Sequence, residues 1–413
     1  MNIALFTDCY FPTKNGVVTV VHQLRESLEL LGHHVVIVTT KPDVEYEEDP
    51  NIYRAVNSLP LPLGGAKDQY VALIWWPKLK SFLLKHKIEI IHCHTELTVG
   101  RMGYKAARRL NIPCVMTTHT MWEDYIRNYL HLFENYLPIR MLYPYLRNIY
   151  KHFSCLIGVS DKVRAYNKRD YVSPNIPCVV IHNALNPEKF MANGTEDAKQ
   201  KASEIRKKLG IKDDEKMLLY VGRIAVEKRS LDLYNSIVAV LEKDSKLKMV
   251  FVGDGPIYKQ LLKNTQYTSV KDRIIFTGFV EWKEIGSYYK AADLFVTSST
   301  TESTCPMVVI EAFIGATPVI CPKDEAYSFS VINGETGFQA ESDDDFVEKI
   351  LKVCKDDKLL LEMSKKAQEK SKEFMPGIFV KRHLYLYQTI LDNYNKKKID
   401  EIAVQSELDK IKE

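Results

Sequence analysis

The sequence predicts an α/β protein made of two parallel-sheet domains, and three observations predict it. The chain has 413 residues, more than one ordinary hydrophobic core accommodates. Short apolar runs alternate with stretches of helical periodicity, the pattern of strands joined by crossover helices. The alternation occurs twice, on either side of a polar, Lys- and Glu-rich stretch that follows Asn186 and runs to Asp214. One Rossmann-like layer pattern is therefore used twice, and no short-period repeat is present.

In the first half the strand candidates are 2–7, 34–39, 89–93, 114–118, 155–159 and 179–182, with helices between them such as 17–31 and 99–110. A helix is expected over 198–208 within the polar stretch. The second series of strands is 217–221, 248–252, 273–277, 294–298 and 317–321. The boundary falls near 186–195, giving domains over 1–190 and 191–375. Beyond Pro376-Gly377, Leu384, Tyr387, Ile390 and Leu391 recur at helical spacing, so a helix is expected over 376–395. Residues 396–413 are highly charged and are expected as a frayed helix or disordered tail.

Hydrophobic content of 46% and charged content of 27% are those of a soluble globular chain. The eight cysteines are scattered through apolar runs without a Cys-x-x-Cys pair, as buried thiols in a reducing compartment would be. A strand begins at Asn2, Asp8 stands where a secretory leader would be apolar, and no stretch of 18 apolar residues occurs. A cytoplasmic protein is expected. The formal net charge of +4 is small, and no nucleic-acid partner is expected. Residues 60–151, however, hold 13 Lys/Arg against 6 Asp/Glu. Solvated helix faces or attraction to an anionic membrane surface would each explain that excess.

Chemistry gathers at the expected strand ends. The strand at 217–221 runs into Gly222, followed by Arg223 and Lys228, two fixed positive charges that suit a diphosphate. The strand at 294–298 opens into a polar loop containing Glu302 and Ser303, then a helix carrying Glu311. A carboxylate there can accept hydrogen bonds from sugar or ribose hydroxyls, while helix-start amides face negative oxygen. The phrase from Thr7 through Pro12 to Gly16 is a strand end, a bent loop and a glycine opening a helix, at the sheet edge where α/β ligands bind. His119 follows the strand 114–118 at another such edge. Gly253 and Gly255 read as structural turn glycines. His92 and His94 point the same way on a strand but have no evident third metal ligand, and Asp343, Asp344 and Asp345 read as helix-capping carboxylates. No metal site is expected.

Taken together, these segments resemble the family-4 glycosyltransferases. The phrases 7–17 and 119–125 (His-Thr-Met-Trp-Glu-Asp-Tyr) resemble the members acting on diacylglycerol, most of all the diacylglycerol glucosyltransferases, and the resemblance covers residues 1–395. It implies the GT-B architecture: two Rossmann-like domains facing across a cleft, with the C-terminal helix crossing back to the N-terminal domain. The N-terminal domain would bind the acceptor and the C-terminal domain the nucleotide sugar. It also implies retaining transfer of a hexose from UDP-glucose to diacylglycerol, without a metal or other cofactor because fixed cations replace one. His119 would contact the donor hexose, Arg223 and Lys228 the leaving diphosphate, and Glu311 the ribose hydroxyls. The loop at Gly16 would approach the donor phosphates, and Gly278, Phe279 and Val280 would lie near the base. The family pattern has two glutamates separated by seven residues, whereas eight separate Glu302 from Glu311. Either the loop holds one extra residue and Glu302 still reaches the sugar, or Ser303 takes its place. The interdomain turn departs too, with Ala184 where glycine is usual.

The acceptor side is carried by aromatic and basic residues. Trp75 and Trp76 precede 77–87, where Leu79, Phe82 and Leu83 share a face and Lys78, Lys80, Lys85 and Lys87 supply charge. Two readings stand there: a helix lying in a membrane interface, or an amphipathic helix on its own sheet. Tyr125, Tyr129, Phe133 and Tyr136 form an aromatic stripe, followed by Arg140, Arg147 and Lys151, and contact with acceptor or membrane is expected of them. The expected protein is thus a hexosyltransferase peripheral to the inner face of a membrane. Its rivals are the same fold with a soluble sugar or polysaccharide acceptor, and a catalytically silent nucleotide-sugar-binding subunit.

Overall fold

The computed structural model describes every residue except 14, 61–69, 124–138, 192–194, 301–305, 397–398 and 413. It divides into two compact units, Met1–Ala184 with Pro376–Glu413, and Leu185–Met375.

In the first unit the strands are β1 (Asn2–Phe6), β2 (His34–Thr40), β3 (Ile52–Ala55), β4 (Asn57–Pro60), β5 (Tyr70–Leu73), β6 (Ile90–Cys93), β7 (Cys114–Thr118), β8 (Cys155–Gly158) and β9 (Cys178–Val180). Seven of them form a parallel sheet in the order β3-β2-β1-β6-β7-β8-β9, while β4 and β5 make a separate antiparallel pair. Runs such as Ile3-Ala4-Leu5-Phe6 and Val35-Val36-Ile37-Val38 are buried on both faces, as a parallel sheet layered by helices requires. Helix α1 (Gly16–Leu30) lays Val18, Val21, Leu24 and Leu28 on one face. Asn15 caps it, its Oδ1 accepting from Val18 N at 2.9 Å. Helix α2 (Trp76–Lys85) precedes β6. Helix α3 (Thr98–Leu110) covers the other face, and at Gly103 an added Cβ would stand 2.3 Å from Cys93 Sγ. Helix α4 (Ile139–Tyr150) leads into β8.

The second unit holds β10 (Lys216–Val221), β11 (Leu247–Val252), β12 (Ile274–Gly278), β13 (Leu294–Val296), β14 (Val319–Pro322) and β15 (Gly337–Ala340), all parallel, in the order β12-β11-β10-β13-β14-β15. Leu218, Tyr220, Met249, Phe251 and Val296 form its core with Leu233, Ile237, Val240 and Leu241 of helix α5 (Ser230–Lys243). Helix α6 (Met307–Ile314) follows β13.

The chain then returns to the first unit. Helix α7 (Pro376–Asn393) buries Phe379, Val380, Leu386, Tyr387 and Ile390 against the sheet face that α1 covers. The charged C-terminal segment is not the frayed or disordered tail its composition suggests. It contains helix α8 (Glu401–Lys410), with Val404 and Leu408 buried. The polar residues explain the docking: β9 is an edge strand, and α8 completes its hydrogen bonding. Glu401 Oε2 accepts from Cys178 N at 3.1 Å and Gln405 Oε1 from Val180 N at 2.7 Å, while Lys168 Nζ pairs with Glu401 at 2.8 Å. Among the described residues, no helix is long and apolar enough to cross a membrane.

Replacing Glu401 and Gln405 together by alanine orphans two partly buried amides, each worth about 1–3 kcal/mol. A lower thermal midpoint and increased light scattering on warming are the expected outcome, and an unchanged melting curve would contradict this edge-capping role.

Candidate active site

Both sheets reverse strand order once, between β1 and β6 in the first unit and between β10 and β13 in the second. Loops diverge at such a switch point and leave a crevice outside the C-terminal strand ends. Of the residues singled out from the sequence, Gly16, His119, Arg223 and Lys228 lie at or beside these two points.

In the second unit, three neighbouring strands end in glycine. Gly222 N donates to Val252 O (3.0 Å) and Gly253 N to Gly278 O (2.9 Å), and all three glycines have positive φ, at 151°, 134° and 72°. An added Cβ on Gly253 would stand 2.0 Å from Gly222 O, and one on Gly255 2.2 Å from Ile224 O, so these two glycines are structural. Arg223 leaves this terrace half-exposed, with Glu227 at 3.5 Å. Lys228 ends a 3₁₀ turn and is half-buried. Ser298 Oγ donates to the carbonyls of Lys228 (3.3 Å) and Arg229 (2.8 Å), which ties the β10 loop to the end of β13. Beyond β13, Glu311 on α6 accepts from Tyr289 Oη at 2.9 Å, and Tyr327 Oη holds Ser299 O at 2.7 Å. The structure thus brings Arg223, Lys228 and Glu311 to one edge. Gly278, Phe279 (73% exposed) and the half-buried Val280 follow β12, farther along it. Glu302 and Ser303 lie outside the described residues.

In the first unit, the edge is organised by a carboxylate that the sequence did not single out. Asp8, at the end of β1, accepts from Thr95 Oγ1 (2.6 Å), Thr98 Oγ1 (2.8 Å) and Val99 N (2.8 Å), which clamps β1 to the β6–α3 loop. Burial pushes its pKa up although these bonds pull it down. Gly16 opens α1 with nothing within 4 Å of an added Cβ. His119 follows β7, half-buried, with Nε2 3.2 Å from His94 Nδ1 and the two rings stacked at 5.5 Å. His94 in turn lies 4.0 Å from the ring of His92, whose nitrogens face Tyr387 Oη (2.6 Å) and Thr117 Oγ1 (2.7 Å). His92 therefore has both nitrogens engaged, and among the described residues no group of three or more His, Cys, Asp or Glu could hold a metal. Burial, and secondarily His383, holds His119 down at about 4, and burial keeps His92 and His94 well below the usual histidine range. The stack is neutral near pH 7.

Glu96 is the second residue missed. It is fully buried beyond β6, where its Oε1 accepts from Tyr150 Oη at 3.0 Å and its carbonyl from Tyr145 Oη at 3.0 Å. These bonds fasten α4 to the β6–α3 loop. Burial raises its pKa to about 8, so the side chain is a neutral acid at pH 7. A glutamate after His-x-His-Thr at a strand end was the available signal.

The acceptor-side residues are divided. Leu79 and Leu83 of α2 are buried, and Phe82 packs against Tyr53 (5.5 Å) and His86 (4.5 Å), so the helix's apolar face turns into its own unit rather than toward a membrane. Trp76 lies beneath the Arg109 guanidinium at 4.6 Å. Trp75 is 64% exposed, beside exposed Lys78 and Lys80. Arg147 donates to Asp170 O at 2.5 Å, and Lys151 is exposed. Tyr125 lies outside the described residues, as does the side chain of Arg140.

Comparison with known proteins follows this division. The profile described as Glycosyltransferase Family 4 matches residues 14–189, and that described as Glycosyl transferases group 1 matches residues 201–370. An alpha-monoglucosyldiacylglycerol synthase of Streptococcus pneumoniae is 35% identical over 323 residues, 78% of this chain and 70% of that protein. The enzyme of the same name from Acholeplasma laidlawii is 28% identical over 400 residues, 96% of this chain and 99% of that protein. Among solved structures, sucrose-phosphate synthase from Thermosynechococcus elongatus superposes with a TM-score of 0.70 at 21% identity, covering 94% and 99% of the two chains. Anabaena HepE in complex with UDP and glucose superposes at 0.69 and 15% identity, covering 94% and 100%.

Glu96 gives a test of the first unit's interior. Its folded pKa of about 8 exceeds the ordinary value of 4.5, so between those pH values the unfolded chain sheds a proton that the folded chain keeps. Stability contributed by Glu96 should therefore fall as pH rises through that window. Glu96→Gln keeps an acceptor for Tyr150 and removes the titration. Its denaturation midpoint should gain on the parent protein from pH 5 to pH 8, and a constant difference would refute the buried neutral acid.

Proposed function

The chain belongs to the family-4 glycosyltransferases of GT-B fold and is a hexosyltransferase; we propose that it moves glucose from UDP-glucose to diacylglycerol with retention of configuration. The observation that carries this reading is that similarity to the Acholeplasma synthase runs through both units, covering 96% of this chain and 99% of that protein.

The chemistry of the two edges supports it. Arg223 and Lys228 are permanent cations beside a terrace of glycines, suited to negative charge building on a leaving diphosphate. Glu311, oriented by Tyr289, offers an oxygen to the ribose hydroxyls. His119 is neutral and serves as a hydrogen-bonding partner for the hexose rather than as a charge. The acceptor hydroxyl attacks C1 on the face the diphosphate leaves, the C1–O bond to phosphate breaks, and the hydroxyl proton passes to the departing phosphate oxygen. No protein base is then required, and fixed cations take the role a metal plays in other transferases. We further infer a cytoplasmic protein held at an anionic membrane surface, with Trp75, Lys78 and Lys80 as the exposed contacts.

Purified protein incubated with mixed sugar nucleotides, EDTA and anionic vesicles containing diacylglycerol should yield α-glucosyl-diacylglycerol at an undiminished rate. Transfer only to soluble sugars, a β-linked product or dependence on added Mg²⁺ would each overturn a part of this reading. Arg223→Ala and Lys228→Ala should each lower turnover about 10²–10³-fold with the fold intact; near-normal turnover would place the phosphate site elsewhere. Glu302→Gln should slow transfer far more than Ser303→Ala. A silent Glu302→Gln would remove that residue from the site.

A further inference from the structure

Four histidines from three elements, His92 and His94 at β6, His119 after β7 and His383 on α7, gather on one face of the first sheet. The ring of His383 lies 5.6 Å from that of His92, and His383 Nδ1 bonds Phe379 O at 2.8 Å. Two of these rings meet nitrogen to nitrogen. His94 Nδ1 and His119 Nε2 are 3.2 Å apart, so one nitrogen must carry the proton and the other must accept it.

The surroundings decide which. Desolvation keeps both rings neutral, so each has a single N–H. His94 Nε2 is fully buried and has no hydrogen-bond partner among the described residues. If His119 donated from Nε2, the one proton of His94 would sit on that buried Nε2 with nothing to accept it. A buried N–H without an acceptor is the rarer and costlier defect; an unpaired ring lone pair is tolerated more readily. The proton of His94 therefore belongs on Nδ1, where it is donated to His119 Nε2. His119 must then carry its own proton on Nδ1, the nitrogen that no described residue engages. His94 cannot swing away to relax this choice, because its ring lies against His92, which Tyr387 and Thr117 hold from both sides.

We propose that His94 is a positioning residue that locks His119 in the Nδ1–H tautomer, so that His119 donates a hydrogen bond from Nδ1 to a hydroxyl of the donor hexose. This rests on the assignment of His119 to the sugar and names the atom and the direction of that bond. It gives His94 a role in positioning His119, where the sequence showed only a histidine pair without a third metal ligand.

Histidine-selective ¹⁵N labelling of the free protein tests the tautomer without substrate, with His119 assigned by its loss in His119→Ala. The expected spectrum has a pyrrole-type Nδ1 and a pyridine-type Nε2 at His119; the reverse pattern would overturn the proposal. His94→Leu keeps the bulk and removes the donor. It should mix the two tautomers of His119 and lower kcat for transfer about tenfold to a hundredfold, with UDP affinity unchanged. His94→Asn, whose amide N–H can stand near the former Nδ1, should restore the single tautomer and most of kcat. Full kcat in His94→Leu, whatever the tautomer, or no recovery in His94→Asn despite a folded protein, would reject the role of His94. Transfer by His119→Ala at the parent rate would instead remove His119 from the sugar site and leave the tautomer assignment standing.

Discussion

The first sheet cannot be finished by the stretch of chain that forms its strands. Seven parallel strands need both faces covered and both edges managed. Residues 1–184 supply α2, α3 and α4 as well, but α1 is the one described helix among them that contributes buried side chains to its own face of the sheet. The missing cover comes from the end of the chain, after the second unit has been laid down as an insertion. Helix α7 closes the α1 face and α8 occupies the β9 edge. The same closure creates the electrostatic environment of the histidine stack. Tyr387 and His383, both on α7, face His92 and bury it, and that burial holds the rings neutral.

The two sheet edges are built from opposite electrostatic choices. In the second unit the functional groups are permanent charges with partial exposure, Arg223 and Lys228, standing on backbone that is rigid because three glycine-terminated strands bond to one another. In the first unit the groups at the edge are titratable, and desolvation has neutralised them: the half-buried His119 sits at about 4 and the buried Glu96 at about 8, one held deprotonated and the other protonated. On the proposed function this division suits the substrate, whose diphosphate needs charge while its hexose offers only hydroxyls.

The strands were readable because each is a dense apolar run bounded by polar residues, and both switch points could be found from glycine, histidine and arginine placed just after such runs. Four strands escaped. β3, β4, β5 and β15 are each four residues long, and sequences such as Ile52-Tyr53-Arg54-Ala55 and Gly337-Phe338-Gln339-Ala340 are too short and mixed to carry a period. The docking of α8 was hidden for a different reason. Its attachment runs through Glu401 and Gln405 acting as substitutes for a neighbouring strand, and side chains that satisfy backbone amides look like solvated residues in a hydropathy pattern. Asp8 and Glu96 escaped because tertiary packing is what buries them; at Glu96 the one local mark was the His-x-His-Thr before it.

The glycines are where sequence and structure divide the work most sharply. Gly253 and Gly255 stand just after a strand, Gly16 opens α1, and Gly100 lies in the first turn of α3. Added atoms separate them: a Cβ would meet carbonyl oxygen at 1.6 Å on Gly100, 2.0 Å on Gly253 and 2.2 Å on Gly255, so the fold itself demands glycine at each. Gly16 differs. Its Cβ would meet nothing within 4 Å, and its backbone is helical, so neither packing nor conformation in its own unit requires glycine. A glycine of that kind leaves its own backbone unshielded by a side chain at the start of α1, where Asn15 caps Val18 N. On the proposed function that open volume is its contribution, since a phosphate oxygen can approach bare backbone more closely than backbone shielded by a side chain.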